Sequence, residues 1–255
     1  MRLFKLTLST IFRRKSWAIS ALLVLVFPFV LPYLSSGAEN PVLFEPALAQ
    51  AAWSMAWLST IFWGFFAAAK AGDANARSGL GEYFLTTGVS ATRQLLEIWA
   101  AVTTFVAPLG LAAALVCIFA ASPSLADERI MWINANLQYA LLFALVVAPL
   151  IALAVAVSSR FGSLTGFLTS AGLTVYGLYG VGYMKMLLSV ESSPLMTWLW
   201  SVSPHYHFAD PTERLRYKLG AIDGGQFPLL LAYFAGILLL YVAISRLLFR
   251  TKVTA

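Results

Sequence analysis

Charge is scarce in this chain of 255 residues: Asp, Glu, Lys and Arg make up 11% of it and hydrophobic residues 60%. A soluble domain carries about 25% charged residues, so a water-soluble globular fold is excluded. Cysteine is limited to Cys117, which rules out a disulfide framework and a thiolate metal site within one chain. No Gly-x4-Gly-Lys-Ser/Thr phosphate loop is present; Gly177, Gly180 and Gly182 stand in an apolar run without the lysine such a loop needs. The chain therefore does not hydrolyse ATP alone. His205 and His207 fall outside the long apolar stretches, and no serine stands in a nucleophile-elbow setting, which argues against an intramembrane hydrolase.

What the chain does have is six long apolar stretches, at 17–34, 51–69, 98–121, 137–157, 164–188 and 227–248. Each is near the ~20 residues that a helix needs to cross the hydrocarbon. Helices satisfy every backbone donor and acceptor internally, which lipid demands. The expected fold is an all-α membrane protein, one bundle of six helices over 1–255, with no linker and no repeat of fixed period.

Twelve of the 17 Lys and Arg residues alternate onto one side: Arg2, Lys5, Arg13, Arg14 and Lys15, then Lys70, Arg77 and Arg93, then Arg160, then Arg246, Arg250 and Lys252. Arg129, Lys185, Arg214, Arg216 and Lys218 fall on the other. The positive-inside rule places the first group, and both termini, in the cytoplasm. The net charge of +6 is thus a topology signal and not a nucleic-acid footprint. Segment 1–16 is amphipathic, with Met1, Phe4, Leu8, Ile11 and Phe12 on one face and Arg2, Lys5, Ser9 and Arg13 on another. It reads as a helix lying on the inner leaflet. A secretory signal cleaved near Ser36-Gly37-Ala38 is the alternative, but the apolar run exceeds the 7–15 residues of a signal core.

The spans carry no ionisable residue in their central portions, where a proton-coupled carrier would keep one. Glu97 and Lys185 sit near span ends, within reach of water. Pro28, Pro32, Pro108 and Pro149 fall inside spans and predict kinks. Gly162, Gly166 and Ser170 recur every four residues, a spacing that lets helix backbones approach, either in internal packing or at a moving or dimeric interface.

Two connecting segments have character of their own. In 71–97, Leu80, Tyr83, Phe84 and Leu85 form an apolar cluster bracketed by glycines, and Ser90 is placed to cap the helix leading into the third span. Such a cluster needs a partner surface or the bilayer. In 191–226, Ser193-Pro194 opens one short helix and Asp210-Pro211-Thr212-Glu213 a second, which Gly220 can end. His205, His207 and Asp210 could hold Cu or Zn. An extended chain would point the two imidazoles to opposite sides, and Asp210 is better explained as a helix cap.

Arg77-Ser78-Gly79, Glu82-Tyr83-Phe84-Leu85, Val89-Ser90 and Arg93-Gln94-Leu95-Leu96 resemble the coupling region of ATP-binding-cassette (ABC) transporter permeases of the type-2 exporter class. The likeness extends to the layout: an amphipathic first helix, six spans, inward termini and two short outer helices between spans five and six. Gly88 stands where the family commonly has proline, and Glu97-Ile98-Trp99 replaces its usual Gly-Lys. The resemblance implies a permease subunit in a bacterial cytoplasmic membrane, lining an export route together with a second permease copy or paralogue. Separate ATPase subunits would bind ATP and Mg and touch Arg77, Leu80, Glu82, Tyr83, Phe84 and Arg93, with Arg13 and Arg14 beside them. The chain itself would hold no cofactor and catalyse nothing. Uncharged, aromatic-rich spans favour a lipid-like, amphipathic or peptide cargo over a small ion. A membrane component of a non-transporting surface or maturation complex, and an ion-coupled secondary carrier, are the alternatives.

Overall fold

A computed structural model describes residues 2–34, 41–191 and 193–252, so Met1 and the Ser36–Ala38 cleavage reading lie outside the described residues. Those residues are mostly helical, with no strand among them. Five of the helices are long and apolar enough to cross a membrane, the mark of an integral membrane protein: Trp17–Leu34, Phe44–Arg77, Ala91–Ala120, Ala126–Phe161 and Gln226–Leu248. The expected span at 164–188 is helical as well, but glycine, threonine and tyrosine dilute its apolar content and it is not among the five.

The elements in order are α1 (Arg2–Arg13), α2 (Ser16–Leu25), α3 (Phe27–Val30), α4 (Pro41–Ser59), α5 (Phe65–Arg77), α6 (Leu80–Thr86), α7 (Ala91–Ala120) and α8 (Ala126–Phe161). There follow α9 (Ser163–Val175), α10 (Val181–Val190), α11 (Pro194–Val202), α12 (Thr212–Arg216) and α13 (Gln226–Leu248). A π turn at Thr60–Gly64 joins α4 to α5, and another at Tyr176–Gly180 joins α9 to α10.

Helix α8 is the axis of the bundle. Residues 146–159 are buried on every side, as a helix apolar all round must be, and α5, α7, α9 and α13 pack directly on it. Small residues set how close they come. A Cβ at Gly72 of α5 would run into the Val155 carbonyl and the Ser158 hydroxyl, and one at Gly166 of α9 into the Ala154 carbonyl and the Ser158 side chain. Ser170, also on α9, donates to the Leu150 carbonyl at 3.0 Å. Gly166 and Ser170 therefore serve internal packing. Gly172 instead faces open space.

Indoles stitch the opposite end of the bundle. Trp53 Nε1 donates to Asn136 Oδ1 at 2.9 Å, Asn136 Nδ2 to the Trp132 carbonyl, and Trp132 Nε1 to the Cys117 carbonyl. Such bonds average about 0.6 kcal/mol in membranes. They fix α4, α7 and α8 in one register.

The kinks expected at every proline are not uniform. The first span breaks at Val26 (φ −112°), and Pro28 lies in the four-residue α3 that follows. Pro108 and Pro149 lie inside uninterrupted helices of 30 and 36 residues. Neighbouring helices absorb the single lost hydrogen bond there.

Candidate functional site

Segment 78–90 builds a surface helix from local rules. Gly79 takes φ 79°, the left-handed conformation that ends α5 at Arg77 and turns the chain into α6. Gly88, at φ 83°, ends α6 in the same way, and Val89 N–H donates to the Phe84 carbonyl at 2.9 Å. Ser90 then accepts from the Arg93 N–H at 3.4 Å and caps α7. Glycine and not proline at 88 fits this geometry, since proline is locked near φ −65°.

The seven residues of α6 have two faces. Gly81 and Phe84 turn inward, while Glu82, Tyr83 and Leu85 turn outward. Tyr83 is 58% exposed and Phe84 only 7%. The expectation that both aromatics meet a partner is corrected: Phe84 belongs to the hydrophobic core, because it sits three residues from Gly81 on the face that lies against the bundle. Gly81 is needed for that seating, as a Cβ there would strike the Thr251 and Asn75 carbonyls.

Gln94, fully buried, holds the helix from behind. Its Nε2 donates to the Gly81 carbonyl at 3.1 Å and to the Val89 carbonyl at 3.0 Å, and its Oε1 accepts from Asn75 Nδ2 at 3.0 Å. The end of the chain closes the other side. Arg250 N–H donates to Ser159 Oγ, Phe249 is buried, and Lys252 pairs with Glu82 at 2.7 Å. The hydrogen-bonded Glu82 carboxylate holds the Lys252 ammonium above its ordinary value.

Glu97 departs from its expected contact with water. It is 7% exposed, and its Oε2 accepts from the backbone N–H groups of Leu3 and Phe4 at 3.1 and 3.2 Å while its Oε1 accepts from Arg93 Nε at 3.1 Å. A carboxylate here satisfies the orphan donors at the start of α1 and the positive end of its dipole. Helix α1 packs mainly on α7 and buries Leu3, Thr7 and Ile11, while Phe12 is 48% exposed. The face that packs on the bundle, Leu3, Thr7 and Ile11, thus shares only Ile11 with the apolar face that the sequence reading turned toward the inner leaflet.

Each sequence-predicted contact residue then has a place. Leu80 and Arg14 line one cavity of about 580 Å³ beside α1 and α5. Arg77, the last residue of α5, pairs with Asp73 at 2.7 Å. Arg93 is spent on Glu97, and Arg13 is exposed at the end of α1. Gln94, Asn75, Glu97 and Gly81 were missed. Uncharged polar residues entering an apolar helix, as Gln94 does at the start of the third span, are the signal that could have found two of them.

No family model matches the chain, and neither does any curated protein or solved structure.

At the opposite end, α11 starts with Ser193 accepting from the Met196 N–H, and α12 starts where Asp210 Oδ1 accepts from Thr212 N–H and Oγ1 at 3.0 and 2.6 Å. Residues 206–209 form a 3-10 turn, not an extended strand, so the His205 and His207 rings lie 5.4 Å apart on one side. His205 Nε2 is 3.0 Å from the Trp200 carbonyl, which can only accept, so that nitrogen carries the proton. Burial, then the neighbouring His205 and Lys185, hold His207 below the ordinary imidazole range. Among the described residues no three His, Cys, Asp or Glu side chains gather as a metal-ligand set.

Proposed function

We propose that this chain is the membrane-spanning permease subunit of an ABC transporter of the type-2 exporter class, set in a bacterial cytoplasmic membrane. In this reading the helix through Tyr176–Gly180 is the fifth of six spans, α1 rests on the inner leaflet, and both termini are cytoplasmic. The export route runs along the interface with a second permease copy or paralogue. Separate ATPase subunits bind ATP and Mg, and their closure drives the permease between two conformations, to which they must bind with different affinity.

The observation that carries the reading is α6. It is a short helix on the end of the bundle, anchored from behind by Gln94 and from the side by Lys252, with Glu82, Tyr83 and Leu85 presented outward. Rigid backing lets a push on the outer face reach α5 and α7 instead of dissipating in a loop. Full-length chain, tagged and extracted mildly from its native membrane, should copurify with an equal number of ATPase subunits. Tyr83→Asp should reduce that association by at least about tenfold, since a buried interface aromatic is worth about 2 kcal/mol or more. A stable lone chain with no ATPase recovered would overturn the reading.

A further inference from the structure

The opposite end of the bundle holds a cavity of about 770 Å³ that the proposed coupling does not use. Its lining includes Lys185 of α10, Asp210, and Glu213 and Arg214 of α12. Asp210 hydrogen-bonds Thr212, and Arg214 Nη1 donates to the Ala221 carbonyl at 3.2 Å. Among the described residues none of the four forms an ion pair, although two are cationic and two anionic. Electrostatic complementarity at such a wall favours a ligand that carries both signs.

His207, Gln226, Tyr139 and Tyr179 add polar groups to the wall, and much of the remainder is apolar. Leu178, Leu229 and Leu230 line it, and Leu229 is largely exposed. Helix α10 packs on its π turn and on α11, whereas α13 packs on α8 and buries little else than Phe234 and Ser245, so the cavity lies between two helices that each leave much of their surface uncovered. We propose that the cavity binds a zwitterionic phospholipid, with the phosphate at Lys185 and Arg214, the ammonium at Asp210 and Glu213, and the acyl chains leaving along Leu229 and Leu230. An anionic lipid would pair its phosphate with Lys185 and Arg214 but bring no ammonium to Asp210 and Glu213. The site does not depend on an ATPase partner.

Gly182 supplies the test. It lines the cavity, and a Cβ there meets nothing within 4 Å, so Gly182→Leu directs its side chain into open space. Gly236→Leu, at an equally open position on α13 away from the cavity, is the control. Native mass spectrometry of the full-length protein should show one saturable phosphatidylethanolamine per chain, bound in preference to phosphatidylglycerol, with glycerophosphoethanolamine binding far more weakly. Gly182→Leu should lower the lipid affinity by at least about tenfold, while Gly236→Leu leaves it unchanged. Glu213→Gln should shift the preference toward phosphatidylglycerol. Equal binding of the two lipids by the unaltered protein, or retained binding in Gly182→Leu, would overturn the proposal. Equally tight binding of the free headgroup would refute the lipid and assign the cavity to a soluble phosphoethanolamine.

Discussion

Gln94 shows how one buried amide can position a surface helix. Replacing it with Leu keeps the volume but leaves the Gly81 and Val89 carbonyls and the Asn75 amide without their partner, at a cost of about 1–3 kcal/mol for each buried group left unsatisfied. Tyr83→Ala removes an exposed ring and should change stability by only about 0.5 kcal/mol or less. Hydrogen exchange of residues 80–88 should therefore accelerate strongly in Gln94→Leu and hardly at all in Tyr83→Ala; equal exchange in both would show that α6 does not lean on Gln94. At this scale the sequence was read unevenly. Ser90 and the two bracketing glycines were legible because caps and turns are local chemistry. The inward turn of Phe84 was not, since seven residues give too short a window for a 3.6 period to declare a face. Glu97 could not be read at all, because the donors it satisfies belong to Leu3 and Phe4, more than 90 residues earlier in the chain.

Helices of the length of α7, α8 and α13 announce themselves by apolar runs, but only the run at 227–248 matches its helix closely, whereas α7 and α8 begin well before the runs at 98–121 and 137–157. The breaks were harder. The two π turns, and the interruption at Val26, arise from packing and from local backbone geometry that no hydrophobic pattern encodes. Glycine spacing was legible as a close approach but did not say which glycines approach. The structure separates them: Gly72 and Gly166 press on α8, whereas Gly172 is open. Gly72→Leu should thus force backbone apart and cost about 1–3 kcal/mol or more, seen as a lowered melting temperature of the detergent-purified protein. Gly172→Leu should melt at or above the unaltered protein, because leucine favours the helix over glycine. Equal melting of the two variants would contradict the packing described for α5 against α8.

Across the whole molecule, the residues that sequence alternation assigns to one side do collect at one end. Glu97 holds α1 there, Lys252 meets Glu82, and Arg250 reaches Ser159. At the other end Lys218 sits 3.0 Å from Glu128 and 3.8 Å from Glu45, tying the loop before α13 to α8 and α4. The arrangement of ends was legible because charge and hydropathy are additive along the chain. The lining of the cavity between α10 and α13 was not, since its walls come from four separate segments. The permease reading requires above all that the end bearing α6 face the cytoplasm, where ATP is. Cys117 is fully buried and can be left silent or replaced by Ala, so single cysteines report sidedness directly. In intact cells an impermeant maleimide should label Trp198→Cys, whose side chain is 61% exposed, and should reach Tyr83→Cys only after the membrane is opened. Labelling of Tyr83→Cys in intact cells, with Trp198→Cys protected, would place α6 outside and contradict the account.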